Sequence, residues 1–300
     1  LKRLCCVVML TLLATGLSSC RRAIQRGPQR TCLILSVGGG KGLAHLGAID
    51  ALKQQNVRVD CVMGNSMGAV VGSLYASAPE LDLRMRYQDF LAAYERKSRR
   101  EAAGRGALGA ALGFLAVVLS GGALAPAVAA GALGAVGGAA TVSRLSHERF
   151  EKALNTFYAE IQIEQLPVPF VTSYQEPTPQ GLQRVMVTQG NLAEAVAASA
   201  ANPLLFPDME LRRIDPGADR VSAVPVHDAC TLFPGARLIA INVTGEPAFY
   251  RSDMGCEVRE IRIDVAEPPA EAFRGAGPEF DALYSAGYSA VLKALQAQPL

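Results

Sequence analysis

The chain has 300 residues, half of them apolar, with 29 basic and 27 acidic side chains and a formal net charge of +2. That length and apolar content suffice for one large core or two modest ones. The near-balance of charge, with no dense Lys/Arg face interleaved with aromatics, excludes a nucleic-acid partner. There is no CxxC pair, and the three histidines lie far apart in sequence, so no metal site is expected.

Residues 1–19 read as an export signal, with Lys2 and Arg3 ahead of the apolar run LCCVVMLTLLATGL. That run is too short and too poorly flanked to span a bilayer stably. It ends in LSSC at 17–20, which resembles a bacterial lipobox. The resemblance implies cleavage before Cys20 and a lipid on its sulfur, which tethers a chain to a membrane without threading it. Arg21 stands where an aspartate would favour the inner membrane, so the expected location is the bacterial cell envelope, with the outer membrane preferred. Residues 20–30 form a polar linker, and 31–300 read as the catalytic domain.

CLILSV suits a buried parallel strand and is broken by Gly38, Gly39 and Gly40. GLAHLGAIDALKQQ then shows helical spacing through Leu43, Leu46, Ile49 and Leu52. VRVDCVM reads as a second strand, and AVVGSLYASA as a second helix stopped by Pro79. Two successive strand–turn–helix units predict parallel pairing in an α/β sheet.

The basic run YERKSRR reads as a solvated helix end, with a place near lipid headgroups also open. It precedes an apolar insert, 105–144, that carries no charge between Arg105 and Arg144. Gly109/Gly113 and Gly134/Gly138 repeat the GxxxG spacing that lets helices approach closely in lipid, and Pro126 divides the stretch in two. Residues 106–142 are read either as a buried helical hairpin over the catalytic domain or as a membrane-dipping lid.

Globular composition then returns. HERFEKALNTFYAEI predicts an amphipathic helix, VPFVTSY and RVMVTQ strands, and NLAEAVAASAA a helix with Asn191 and Glu194 as its capping box. PLLFP reads as a rigid turn. MELRRI, RVSAVPVH, LIAINVT and VREIRIDV read as further strands, and a last helix runs from about Glu279 to Gln296. Of seven cysteines, Cys5 and Cys6 leave with the signal. Cys32 and Cys61 read as buried small hydrophobes, and Cys230 and Cys256 stay unassigned because the spacings form no recognisable disulfide framework.

The chemistry begins at Ser66, flanked by Gly64 and Gly68 in a G-x-S-x-G pattern between a strand and a helix. A tight elbow there exposes the hydroxyl above the sheet and demands small neighbours. Gly38, Gly39 and Gly40 offer backbone amides for an oxyanion. A phosphate-binding P-loop fails at Leu35 and Gly42, and a dinucleotide fingerprint fails at Leu43. No acid-then-late-histidine order follows Ser66. On a strand, His227 and Asp228 would point to opposite faces. Asp228, at the end of VSAVPV, could reach the serine directly, which makes a dyad of Ser66 and Asp228 chemically feasible without histidine.

LSVGGGKGLAHLGAIDAL, GNSMGAVVGSLYA, LAEAVAASAANPLLFP and PVHDA occur in an order that resembles the patatin-like phospholipase family, over roughly Thr31 to Thr244 without the apolar insert. The resemblance implies a three-layer α/β/α fold with a mainly parallel sheet. It implies lipid acyl hydrolysis by a Ser–Asp dyad through a covalent acyl-enzyme, with no cofactor. By motif match Ser66 is the nucleophile, Asp228 the base, and Gly38 and Gly39 the oxyanion donors with Gly40 close by; Lys41 matches a usually basic position. Membrane lipid is the expected substrate. The chain departs from the family at Val37, where a glycine is usual, at Gly40, and in a shortened segment between Asp228 and ARLIAINV. These departures leave a second reading, a weakened or inactive hydrolase fold serving as a membrane-associated scaffold lipoprotein.

Overall fold

A computed structural model describes residues 29–102, 147–203 and 212–298. The expected signal, Cys20 and the apolar insert lie outside the described residues. Among those described, no helix is long and apolar enough to cross a membrane.

Six strands form one sheet: β1 (Thr31–Leu35), β2 (Cys61–Gly64), β3 (Phe170–Thr178), β4 (Gly181–Val187), β5 (Arg237–Asn242) and β6 (Glu257–Arg262). Their order is β4-β3-β2-β1-β5-β6. All neighbours are parallel except the β3–β4 hairpin at one edge. The central strands β1, β2 and β5 are short apolar runs buried on both faces, as CLILSV led one to expect for β1, whereas the edge strand β6 is charged and half-exposed.

Strand alternation divides the core in two. Leu33, Leu35, Val62, Ile239 and Ile241 point to one face. There they meet α1 (Ala44–Gln54), α2 (Met67–Ser77), α3 (Leu83–Ala102), α4 (His147–Tyr158), α5 (Leu192–Ser199) and α8 (Pro278–Ala297). Cys32, Ile34, Met63, Leu238 and Ala240 point to the other, under the short helices α6 (Arg220–Ala223) and α7 (Val226–Leu232). The result is the three-layer α/β/α arrangement with a mainly parallel sheet.

The segment RVSAVPVH is not the expected strand. Asp219 caps α6 by accepting from the Val221 N–H at 3.0 Å, and Pro225 opens α7. A capping carboxylate at one end and a proline lacking a ladder donor in the middle favour two helical turns over an extended run. The Asn191 cap is as expected: its side chain accepts from the Glu194 N–H at 3.0 Å.

The cysteine reading needs a second correction. Cys32 and Cys61 are buried, but they are joined in a disulfide. They are register partners on neighbouring strands, 4.5 Å apart at Cα, so the sheet brings together what sequence distance separates. Cys230 and Cys256 form a second bridge, from α7 to the segment entering β6.

The tightest helix crossing joins α1 to α8. A Cβ on Gly47 would fall 1.9 Å from the Tyr284 carbonyl oxygen, and one on Gly287 would fall 1.9 Å from that of Ala44. Only glycine at both positions allows the two backbones to touch, and any side chain would force them apart.

Candidate active site

Ser66 occupies the turn between β2 and α2 with φ 54° and ψ −124°. A non-glycine residue held there carries roughly 1–3 kcal/mol of backbone strain, which the surroundings must impose. The flanking glycines make the elbow sterically feasible. A Cβ on Gly64 would lie 2.3 Å from the Gly68 carbonyl oxygen, and one on Gly68 would lie 2.5 Å from that of Leu35. The G-x-S-x-G pattern is therefore a packing requirement of this turn as well as a motif.

Asn65 fixes the turn from the side. It is fully buried, and its Nδ2 donates to the Ser222 carbonyl at 2.8 Å. Its Oδ1 accepts from the Ser173 N–H at 2.9 Å and from the Ser173 hydroxyl at 3.0 Å. One amide thus ties the elbow to β3 and to α6. The Ser66 N–H, which has no acceptor inside its own helix, donates to the Ser199 hydroxyl at 3.0 Å.

The glycine loop lies beside this elbow. Gly39–Leu43 forms a tight helical turn with Gly38 at its start. Gly42 abuts Met67, the residue after the serine; a Cβ there would meet the Met67 Cγ at 2.4 Å. The first amides of such a turn lack an intrahelical acceptor, so those at Gly38–Gly40 suit a ligand oxygen. The loop is held from behind: the Val37 N–H donates to the Ala223 carbonyl at 2.8 Å. Buried His45 donates from Nε2 to the Ser36 carbonyl at 3.0 Å, and burial lowers its pKa to about 4, so it is a neutral strut. Beside the loop, Glu267 has its carboxyl pushed up to about 7 by burial, against the opposing pull of Lys41.

The carboxyl set against the Ser66 hydroxyl is Asp215, not Asp228. Asp215 caps the turn Pro216–Ala218, its Oδ1 accepting from the Gly217 N–H at 2.6 Å, and its own N–H donates to the Ala201 carbonyl at 2.7 Å. Ile214, the residue before it, pairs with Gln175 of β3, which fixes the approach to the site. Burial pushes the Asp215 pKa up to about 6, while hydrogen bonds from Ser66 and the Gly217 amide hold it from rising further. A carboxylate of that basicity touching a hydroxyl has the equipment of a general base.

Asp228 is engaged elsewhere. Its Oδ2 accepts from Arg184 Nη1 of β4 at 2.5 Å, and the same guanidinium reaches Asp219 at 3.4 Å. Because residues 226–232 are helical, Asp228 is turned toward the β3–β4 hairpin and away from the position a strand would give it. Among the described residues, Ser66 has no histidine partner.

Sequence reasoning passed over Asp215, Ser199 and Asn65. A faint signal for Asp215 was present in D-P-G, an acid two residues before a glycine that can close an Asx turn. Read alone, it is only a loop.

The sequence profile of the patatin-like phospholipase family matches residues 33–229. The chain is 44% identical over 48 residues to patatin-like phospholipase domain-containing protein ZK370.4 of Caenorhabditis elegans, covering 16% of this chain and 4% of that protein. It is 45% identical over 49 residues to the lysophospholipase NTE1 of Saccharomyces cerevisiae, covering 16% of this chain and 3% of that one. The chain thus spans only a small fraction of the curated relatives it matches. In structure it overlaps VipD from Legionella pneumophila with a TM-score of 0.39 at 12% identity, covering 90% of this chain and 67% of that one.

Proposed function

The chain belongs to the patatin-like phospholipase family, and we propose that it is a serine hydrolase of lipid acyl esters in which Ser66 is the nucleophile and Asp215 the base. The observation that carries this reading is the Ser66 hydroxyl, held on a strained strand-to-helix elbow against a buried carboxyl of raised pKa.

Ser66 Oγ attacks the ester carbonyl carbon while its proton passes to Asp215. The carbonyl electron pair moves onto oxygen, which rests on the amides of Gly38–Gly40 at the positive end of a helical turn. The carbonyl re-forms, the ester C–O bond breaks, and the leaving alcohol takes the proton from Asp215. Water then attacks the acyl-serine, Asp215 accepts its proton, and the fatty acid departs as that proton returns to Ser66 Oγ. Apart from the hydrolytic water, no group outside the chain and substrate is needed for the balance.

Phospholipid in a membrane is the substrate class this reading favours. The lipobox-like LSSC at 17–20 would bring the domain to its substrate, and residues 106–142 would serve as a lid or a membrane-dipping hairpin. Two disulfides among the described residues suit an oxidising compartment, in keeping with export to the cell envelope.

The test uses a fluorophosphonate probe and a short-chain chromogenic ester on wild type, Ser66→Ala, Asp215→Ala and Asp228→Asn. Labelling and turnover should vanish in the first two variants and persist in the third. Full turnover in Asp215→Ala would remove Asp215 as the base, and an unlabelled wild type would favour the scaffold reading.

A further inference from the structure

The end of α5 touches both halves of the site. Ser199, its last residue, is completely buried, and its Oγ accepts from the Ser66 N–H at 3.0 Å. Two residues on, the equally buried Ala201 carbonyl accepts from the Asp215 N–H at 2.7 Å. A stretch of three residues therefore holds the main chain of the serine and of the carboxylate, which are far apart in sequence. We propose that residues 199–201 are a template that sets the Ser66–Asp215 spacing, with Ser199 as a positioning residue for the nucleophile. The proposal rests on the Ser66–Asp215 reading.

Two features give the template its grip. Ser66 occupies a strained backbone conformation, so something must hold its peptide plane. The Ser199 hydroxyl does so at a place where the amide has no acceptor in its own helix. The template itself is anchored: α5 is buried through Leu192, Val196 and Ala197, capped by Asn191, and gripped by His147, whose Nε2 donates to the Ala197 carbonyl at 2.8 Å. The hydroxyl at 199 is thus fixed before Ser66 meets it.

Removing the hydroxyl should misplace the nucleophile without altering the surface that binds ester. Ser199→Ala is expected to lower kcat about 10- to 100-fold, the scale of a small misplacement of a reacting atom, with KM within about twofold of wild type. Its acid limb should also move to higher pH, because a displaced Ser66 no longer hydrogen-bonds Asp215 and so no longer opposes the effect of burial. Ser199→Cys, which keeps a weak acceptor at little change in volume, should recover part of the lost kcat. A purely structural role would move neither the kcat-to-KM split nor the acid limb.

The experiment measures kcat, KM and the pH profile on a soluble chromogenic ester for wild type, Ser199→Ala, Ser199→Cys and Asp215→Ala, with thermal unfolding of each. Activity in the order wild type, Cys, Ala at preserved KM bears the proposal out. A wild-type kcat in either folded serine-199 variant, or a loss confined to KM, overturns it. Should Ser199→Ala fail to fold, the Cys variant alone decides between these outcomes. Full activity in Asp215→Ala overturns the dyad reading instead, so the two failures are told apart.

Discussion

Asp215 and Asp228 both stand on the short-helix side of the sequence after β4, yet their surroundings give them opposite work. Asp228 meets a guanidinium at 2.5 Å, so its charge is already matched. Asp215 meets a hydroxyl and a backbone amide in a buried turn, and its pKa rises to about 6. Cation contact makes a carboxylate a brace, whereas burial beside a neutral donor keeps it basic. Burial against neutral partners, more than the residue type or its nearness to a motif, makes Asp215 fit for proton transfer.

That contrast can be broken most directly by activity. Asp215→Ala should lower kcat/KM by at least ~10³-fold, whereas Asp228→Asn should stay within about threefold of wild type, as read by ester turnover. The reverse ranking would exchange the two roles.

A stability measurement separates the helix carrying Asp228 from the turn carrying Asp215. Opening the Cys230–Cys256 bridge by Cys230→Ser should cost about 3 kcal/mol in denaturant unfolding, because the bridge closes a loop with a sequence separation of 26. Turnover in the folded variant should be nearly unchanged, since α7 supports the site without touching Ser66.

The pH dependence sharpens the contrast further. The base must be ionised, so the acid limb of kcat/KM should centre at about pH 6. The same shift has a stability sign. A carboxyl whose folded pKa lies above its ordinary 3.8 favours the fold below that value and loses this favour as pH rises through about 6. Asp215→Asn should therefore abolish turnover yet raise stability by about 3 kcal/mol at about pH 8, with the gain gone below about pH 4. Thermal or denaturant unfolding at the two pH values checks this. The smallest effect belongs to the ion pair: Arg184→Ala should cost about 1 kcal/mol or less, and the loss should shrink in high salt.

The sequence was most legible where structure follows from neighbours in the chain. CLILSV, the glycine loop, the elbow at Ser66 and the Asn191 cap each announce themselves within a few residues, and each stands where local chemistry put it. The proposed base, Asp215, was not legible because its assignment depends on which acid the fold carries to the serine. D-P-G looks like an ordinary turn until Ala201 and Gln175 pull the turn against the elbow. VSAVPV misled because alternation alone cannot weigh a capping Asp219 against strand pairing. Cys32 and Cys61 were hidden for a related reason: strand register, a tertiary fact, makes them partners.

The reciprocal glycine contact between α1 and α8 bears on the order in which the protein can be made. α1 follows the glycine loop directly, yet the helix its backbone touches is α8, which comes after all six strands in sequence. A nascent polypeptide emerging from the ribosome would thus carry Ser66 and Asp215 well before α1, the helix behind the loop, is covered. On the proposed reading, hydrolytic competence should arrive in a single step, when residues 278–297 dock.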